Sequence, residues 1–157
     1  MASASIVSQL ETLLPLATAW AGEMQGRILR EGVPLSEPEI SDARTVGVHE
    51  PQRIRLLRVD AIPSPDHPVL KSACQATNFI PAAPRGLTLY YGVFVRSDFW
   101  RNRTLIVHEL VHTAQYERLG GIEAFLRRYL FECFTLGYAK SSMEDEANKA
   151  ASRLCLV

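Results

Sequence analysis

The stretch from residue 105 to residue 121, LIVHELVHTAQYERLGG, constrains the fold of this chain more than any other. Apolar side chains recur around most of its circumference, so it predicts a helix that is buried on nearly all sides. The glycine pair at its end predicts that the helix stops near Leu119. The same helix carries His108, Glu109 and His112, and unpartnered polar groups are costly inside a protein. The fold must therefore supply partners for these three side chains.

The two histidines lie four positions apart, which places both imidazoles on one face of a helix. They can therefore bind one metal ion, and zinc suits nitrogen ligands of this kind. Glu109 is rotated by about 100° from His108 and can accept a proton from a water molecule at the metal, as a general base does. The alternative interpretation is that His108 and His112 are hydrogen-bonded core histidines and that Glu109 is a solvated helix residue.

A catalytic zinc usually has three protein ligands, so a third ligand is expected from another element. The segment SSMEDEANKA, residues 141–150, lies far enough beyond the second histidine for one helix out and a return. Glu144 and Glu146 point in different directions on a helix, so only one of them can face the histidines. Glu144 could instead close a capping box with Ser141, although neighbouring residues can supply a similar cap and leave Glu144 free.

With these residues the chain resembles the gluzincin-type zinc metallopeptidases. In that family the third ligand is a glutamate from a later helix, often followed by a small residue and a polar or acidic one. In EDEAN the matching residues are Glu144 as the ligand and Ala147 as the small residue. Asn148 departs from the pattern, because many such enzymes have an aspartate there that orients a ligand histidine. The resemblance covers residues 87–150, and the first 86 residues lie outside it.

The resemblance implies a zincin-like fold, a zinc cofactor and hydrolysis of a peptide or protein substrate. The implied site consists of His108, His112 and Glu144 as zinc ligands and Glu109 as general base. A hydrogen-bond donor for the transition state is also expected, with Tyr138 as the first candidate and Tyr129 as the second. The segment LTLYYGVFV, residues 87–95, precedes the motif helix as a substrate-binding edge strand does in zincins. The alternative is that this segment is a buried central strand.

The remaining segments predict that residues 1–157 form one α+β domain, with a small sheet packed on the motif helix and further helices at the C-terminal end. Helical spacing of apolar residues predicts an N-terminal helix over 5–31, which Pro15 should kink or divide. Proline and turn residues predict loops over 35–50 and 63–86, and alternation predicts strands over 53–62 and 87–95. Two more helices are expected, over 122–137 and from about residue 141. Ser97, Asp98 and Asn102 are the candidate caps of the motif helix.

Charge and composition narrow the class of partner. Lys plus Arg and Asp plus Glu are 17 each and the pI is near 6.9, so nothing favours nucleic acid or an anionic membrane as a partner. Three scattered cysteines without a CxxC pair predict neither a disulfide framework nor a thiolate metal site. No stretch reaches the ~20 apolar residues of a membrane span.

A cytoplasmic zinc metallopeptidase is the leading hypothesis. The alternatives are a zinc-stabilised binding or regulatory protein with little turnover and a metal-free interaction domain.

Overall fold

The computed structural model of the chain describes residues 4–77 and 80–156. The helices are α1 (Ala4–Glu31), α2 (Glu37–Thr45), α3 (Pro68–Thr77), α4 (Arg103–Leu119), α5 (Ile122–Leu136) and α6 (Ser142–Leu154). The strands are β1 (Val33–Pro34), β2 (Arg55–Val59), β3 (Gly86–Leu89) and β4 (Gly92–Arg96). The predicted α+β class is therefore confirmed. Helix α1 and helices α4 to α6 lie where the sequence predicts them.

The strands form one mixed sheet in the order β1-β2-β4-β3. β2 and β4 run parallel, whereas β1 pairs antiparallel with β2 and β3 pairs antiparallel with β4. The prediction of one strand over 87–95 is wrong, because this segment is a hairpin that turns at Tyr90 and Tyr91. Tyr90 has a φ of 63°, a conformation that its aromatic side chain does not signal. One half of the segment is thus an edge strand and the other half a central strand.

Helices cover both faces of the sheet. On one face Phe94 of β4 belongs to a buried cluster with residues of α1 and α5. On the other face Val93 and Val95 belong to a second cluster with Ile106 and Leu110 of α4. The alternation of these three β4 side chains is the period of a strand with both faces covered. The motif helix α4 therefore packs against the sheet, and it also contacts α6.

Helix α1 spans 28 residues and includes Pro15. Of the two effects predicted for Pro15, a kink or a division, the division does not occur, because the helix is continuous. Proline removes one backbone hydrogen bond, but the helix buries a whole face that includes Leu10, Leu14 and Ile28, and such packing supplies most of the stability of a helix in a protein. Among the helices of residues 4–77 and 80–156, none is both long and apolar enough to cross a membrane.

Two segments that were predicted as loops contain helices. α2 begins after Ser36, whose hydroxyl accepts a hydrogen bond from the Glu39 N–H at 3.4 Å, while the Glu39 carboxylate accepts one from the Ser36 N–H at 2.8 Å. This reciprocal pair is a capping box. Pro38 lies in the first turn of α2 and Pro68 begins α3, positions where a missing N–H costs nothing. Pro38 and Pro68 therefore mark helix starts, whereas Pro63, Pro65, Pro81 and Pro84 lie outside helices, as predicted.

Candidate metal centre

Helix α4 holds the two motif histidines side by side. Asn102 caps its start by accepting a hydrogen bond from the Leu105 N–H at 3.0 Å, as predicted for one of the three candidate caps. Gly120 ends the helix in the left-handed conformation, with a φ of 101°. Between these ends the Nε2 atoms of His108 and His112 lie 3.3 Å apart. The two imidazoles therefore present their outer nitrogens to the same point.

Helix α6 brings a carboxylate to that point. Glu144 Oε1 lies 3.2 Å from His108 Nε2, and Glu144 Oε2 lies 2.9 Å from His112 Nε2. One ligand atom from each of these three residues fits within a span of 4.8 Å. Glu146 is turned aside, since its Oε1 accepts hydrogen bonds from Gln115 and Arg118. Of the two glutamates considered as third ligand, the structure thus places Glu144 with the histidines.

The start of α6 explains why Glu144 is free to face α4. Ser141 caps the helix by accepting a hydrogen bond from the Met143 N–H at 3.3 Å. The carboxylate that completes the cap comes from α5, because Glu132 Oε1 accepts hydrogen bonds from the Ser142 N–H at 2.7 Å and from the Ser141 hydroxyl at 3.0 Å. Glu144 therefore does not serve the cap, and its carboxylate points at the histidines instead.

The charges within this cluster are strongly coupled. Burial alone would lower the pKa of His112, but the hydrogen bond and the negative charge of Glu144 outweigh burial and raise this pKa to about 9. Burial would raise the pKa of Glu144, yet the hydrogen bonds from His108 and His112 hold it well below its usual range. The buried carboxylate is thus ionised and requires a positive charge beside it. A proton on His112 or a metal cation between the three side chains can supply that charge.

Glu109 lies directly beside this cluster and is only 5% exposed. The Thr88 hydroxyl, from the edge strand β3, donates to Glu109 Oε2 at 2.6 Å, and it also lies 3.0 Å from the Glu109 carbonyl oxygen. A Cβ atom at Gly86 would lie 3.0 Å from Glu109 Oε1, so the missing side chain of this glycine makes room for the carboxylate. β3 therefore holds the carboxylate of Glu109 in one place.

Two tyrosines reach the same glutamate. The Tyr138 hydroxyl donates to Glu144 Oε1 at 3.1 Å, and the Tyr129 hydroxyl donates to Glu144 Oε2 at 3.1 Å. Burial and the charge of Glu144 raise the pKa of both phenols, so both remain hydrogen-bond donors at neutral pH. Both candidate transition-state donors thus lie at the cluster, where their hydroxyls bond to the carboxylate of Glu144.

A further member of the site was not predicted from the sequence. Gln115 Oε1 lies 2.8 Å from His112 Nδ1, so this glutamine contacts the inner nitrogen of a candidate ligand. Asn148, which the resemblance places in that role, lines the cleft beside the cluster. The available signal was the spacing of three positions between His112 and Gln115, which brings two side chains together on a helix.

The cluster opens into a cleft of about 900 Å³. Its walls include β3, the segment 80–85, and residues of α1 such as Trp20. Two imidazole nitrogens and one carboxylate oxygen are a donor set that suits zinc. In the described part of the chain the group of potential ligands contains three residues, as at catalytic zinc sites. These three residues would fit a zinc ion, and the cleft leads to them.

Comparison of the chain with protein-family models, with curated proteins and with solved structures finds no match. The function is therefore inferred from the residues of the site and from their geometry.

Proposed function

We propose that this protein is a zinc-dependent metallopeptidase with a zincin-like arrangement of its site. The observation that carries the proposal is the convergence of His108, His112 and Glu144, whose ligand atoms fit within 4.8 Å, beside the buried carboxylate of Glu109. When bound, zinc would polarise the peptide carbonyl and lower the pKa of a water molecule toward neutrality. These three side chains would hold it.

Glu109 is the general base of this proposal. It stands next to the ligands without belonging to them, and Thr88 fixes its orientation through the 2.6 Å hydrogen bond. Its carboxylate accepts the proton of the attacking water and passes it to the nitrogen of the leaving amine. Tyr138 is the proposed donor to the developing oxyanion, because its hydroxyl is at the cluster and keeps its proton. That role requires the phenol to exchange Glu144 for the substrate oxygen.

The outer edge of β3 is the proposed binding site for the peptide backbone. The Arg96 N–H bonds to the Arg85 carbonyl at 2.9 Å, and ladder bonds alternate along an antiparallel pair. Gly86 and Thr88 therefore direct their main-chain groups away from β4, toward the cleft side of the sheet. The Thr88 carbonyl already accepts a hydrogen bond from the buried Tyr116 hydroxyl at 3.1 Å. An extended peptide can thus add to the edge at Gly86 and at the Thr88 N–H.

The open cleft favours turnover over a purely structural role for the metal. A structural zinc is closed by a fourth protein ligand, whereas a catalytic zinc leaves one position to water or substrate. The described group supplies three ligands and faces a cleft that a peptide can enter. A general base such as Glu109 acts only where water can reach the metal, which also favours an open site.

Glu109→Gln tests this function. The amide keeps the size of the side chain and its carbonyl can still accept the Thr88 hydrogen bond, so we expect the fold and the zinc content to be retained. Because an amide cannot accept the proton of water, hydrolysis of a peptide library should fall by about 10²- to 10⁴-fold. Glu123→Gln is the matched control, since Glu123 is exposed on α5 and should leave hydrolysis unchanged.

Two results would contradict the proposal in different ways. If the wild-type protein binds zinc but cleaves no peptide, and Glu109→Gln alters only thermal stability, the zinc stabilises a binding protein. If wild type and Glu109→Gln cleave equally well, the general base lies elsewhere in the chain.

A further inference from the structure

The side chain of Gln115 connects the two helices that carry the candidate ligands. It is 1% exposed and extends from α4 toward the first turn of α6. Its Nε2 donates to the Met143 carbonyl at 3.0 Å and to Glu146 Oε1 at 2.8 Å, and its Oε1 lies 2.8 Å from His112 Nδ1. All the polar atoms of this amide therefore have a partner.

The partners on α6 fix which way round the amide lies. A main-chain carbonyl and a carboxylate accept hydrogen bonds and donate none, so only the amino group of Gln115 can face them. The carbonyl oxygen of Gln115 must then face His112. An oxygen acceptor at this place requires a proton on His112 Nδ1, because two acceptors would repel each other. Nε2 of His112, which faces Glu144 and His108, is thereby left as the nitrogen that can bind a metal.

Glu146 is itself held in place from α4. The Arg118 guanidinium donates to Glu146 Oε1 at 2.9 Å and to Oε2 at 3.2 Å. Both side chains of this ion pair are about half exposed, so the pair by itself adds little to stability. Its effect is to keep a charged acceptor in front of the Gln115 amino group, and a charged acceptor strengthens the hydrogen bond.

We propose that Gln115 is a positioning residue that fixes the ring orientation and the tautomer of His112, and that Glu146 locks Gln115 in that role. The inference rests on the proposed function, since it takes His112 as a metal ligand. The bond to Met143 adds a second effect, because Met143 immediately precedes Glu144. The same amide thus holds the ligand histidine of α4 and the ligand carboxylate of α6 at a fixed separation.

Gln115→Met tests the proposal, because methionine has a similar length and none of the three hydrogen bonds. Histidine side chains labelled with ¹⁵N report the Nδ1–H of His112 in metal-free protein, and ¹¹³Cd loading reports which nitrogen binds the metal. In wild type we expect a His112 Nδ1–H that is protected from exchange and a cadmium coupling to Nε2. In Gln115→Met we expect the protection to be lost and the affinity for zinc to fall by about 10- to 100-fold.

His108 is the internal control, because Gln115 does not contact its ring, and its cadmium coupling should be the same in both proteins. Gln52→Met, at an exposed position, is the control for the substitution itself. Glu146→Ala is a milder second variant that leaves Gln115 in place. It should weaken the protection of the His112 Nδ1–H without abolishing the cadmium coupling, and it keeps the test open if Gln115→Met does not fold.

Unchanged His112 signals and unchanged zinc affinity in Gln115→Met would overturn the inference. Failure of the proposed function is a separate result. If wild type binds no cadmium, the metal centre is refuted, and the Nδ1–H signal of the metal-free protein still decides whether Gln115 orients His112.

Discussion

Gly86→Ala should reduce catalysis with little change in stability. The added Cβ would lie 3.0 Å from Glu109 Oε1, whereas ordinary contacts begin at 3.4 Å, so the carboxylate must retreat by about 0.4 Å. It cannot do so freely, because Glu109 is buried and Thr88 holds its other oxygen at 2.6 Å. A displacement of 1 Å in an active site can cost about 10²-fold, so we expect a loss of about tenfold in kcat/KM, or about 1.4 kcal/mol of barrier.

The assay compares kcat/KM on a fluorogenic peptide, zinc content and Tm for Gly86→Ala and for Gly22→Ala. Gly22 is the matched control, since it lies in α1 and a Cβ there meets nothing within 4 Å. The control should keep full activity and gain up to about 1 kcal/mol of stability from better helix propensity. Full activity of Gly86→Ala would refute the placement of Glu109 as base. Loss of zinc from Gly86→Ala would show that the change acts through the ligands instead.

Two further predictions concern zinc binding. Glu144→Ala should abolish stoichiometric zinc binding, measured by competition with a chelating dye. Asp145→Ala is the control, because Asp145 lies next to Glu144 on the exposed side of α6, and it should bind zinc like wild type. Equal affinities of the two variants would contradict the ligand assignment. The second prediction follows from the pKa of His112, which is raised from 6.5 to about 9. The contact of protonated His112 with Glu144 therefore stabilises the metal-free protein fully below pH 6.5. This stabilisation is lost as the pH rises through 9. Because zinc displaces that proton, the increase in Tm on adding zinc should grow between pH 6 and pH 9, and an increase in Tm that shrinks with pH would contradict proton displacement.

The sequence predicts the helical part of the site well and the strand part poorly. Helical spacing places His108 and His112 on one face, and the same periodicity predicts that only one glutamate of α6 can face them. The hairpin at Tyr90 was not predicted. Tyr90 adopts a left-handed backbone conformation, and this does not change the alternation of apolar residues around it. The role of Thr88 therefore could not be predicted, since it depends on β3 turning its edge toward Glu109.

The residues that position α6 could not be predicted from the sequence, for another reason. Glu132 and Ser142 are ten positions apart, and nothing local in the chain predicts that a residue of α5 caps the next helix. Once Glu132 fills the cap, Glu144 is released toward the histidines. The interaction of Gln115 with Glu146 likewise joins residues 31 positions apart. Sequence spacing predicts contacts within one helix, whereas contacts between helices depend on how the helices pack.

Helix prediction failed at proline, which occurs both in loops and in the first turn of helices. Proline was read as a loop signal before α2 and α3, although it stands in the first turn of both helices. At Pro15 the packing of α1 preserves one continuous helix over the predicted range, although the local rule allows a division there. At α2 and α3 the place of the proline in the first turn decides the outcome, whereas at Pro15 the packing of the helix decides it.

The most direct test of the proposed metal centre is to measure zinc by mass spectrometry in freshly purified protein. The protein must not have been exposed to a chelator. The expected result is one zinc ion per chain in the wild type and none in His112→Ala, because the remaining two ligands cannot hold the ion. Glu123→Gln, far from the ligands on the exposed side of α5, should keep one zinc per chain. A wild-type protein that carries no zinc, or a His112→Ala variant that carries as much as wild type, would contradict the proposed metal centre.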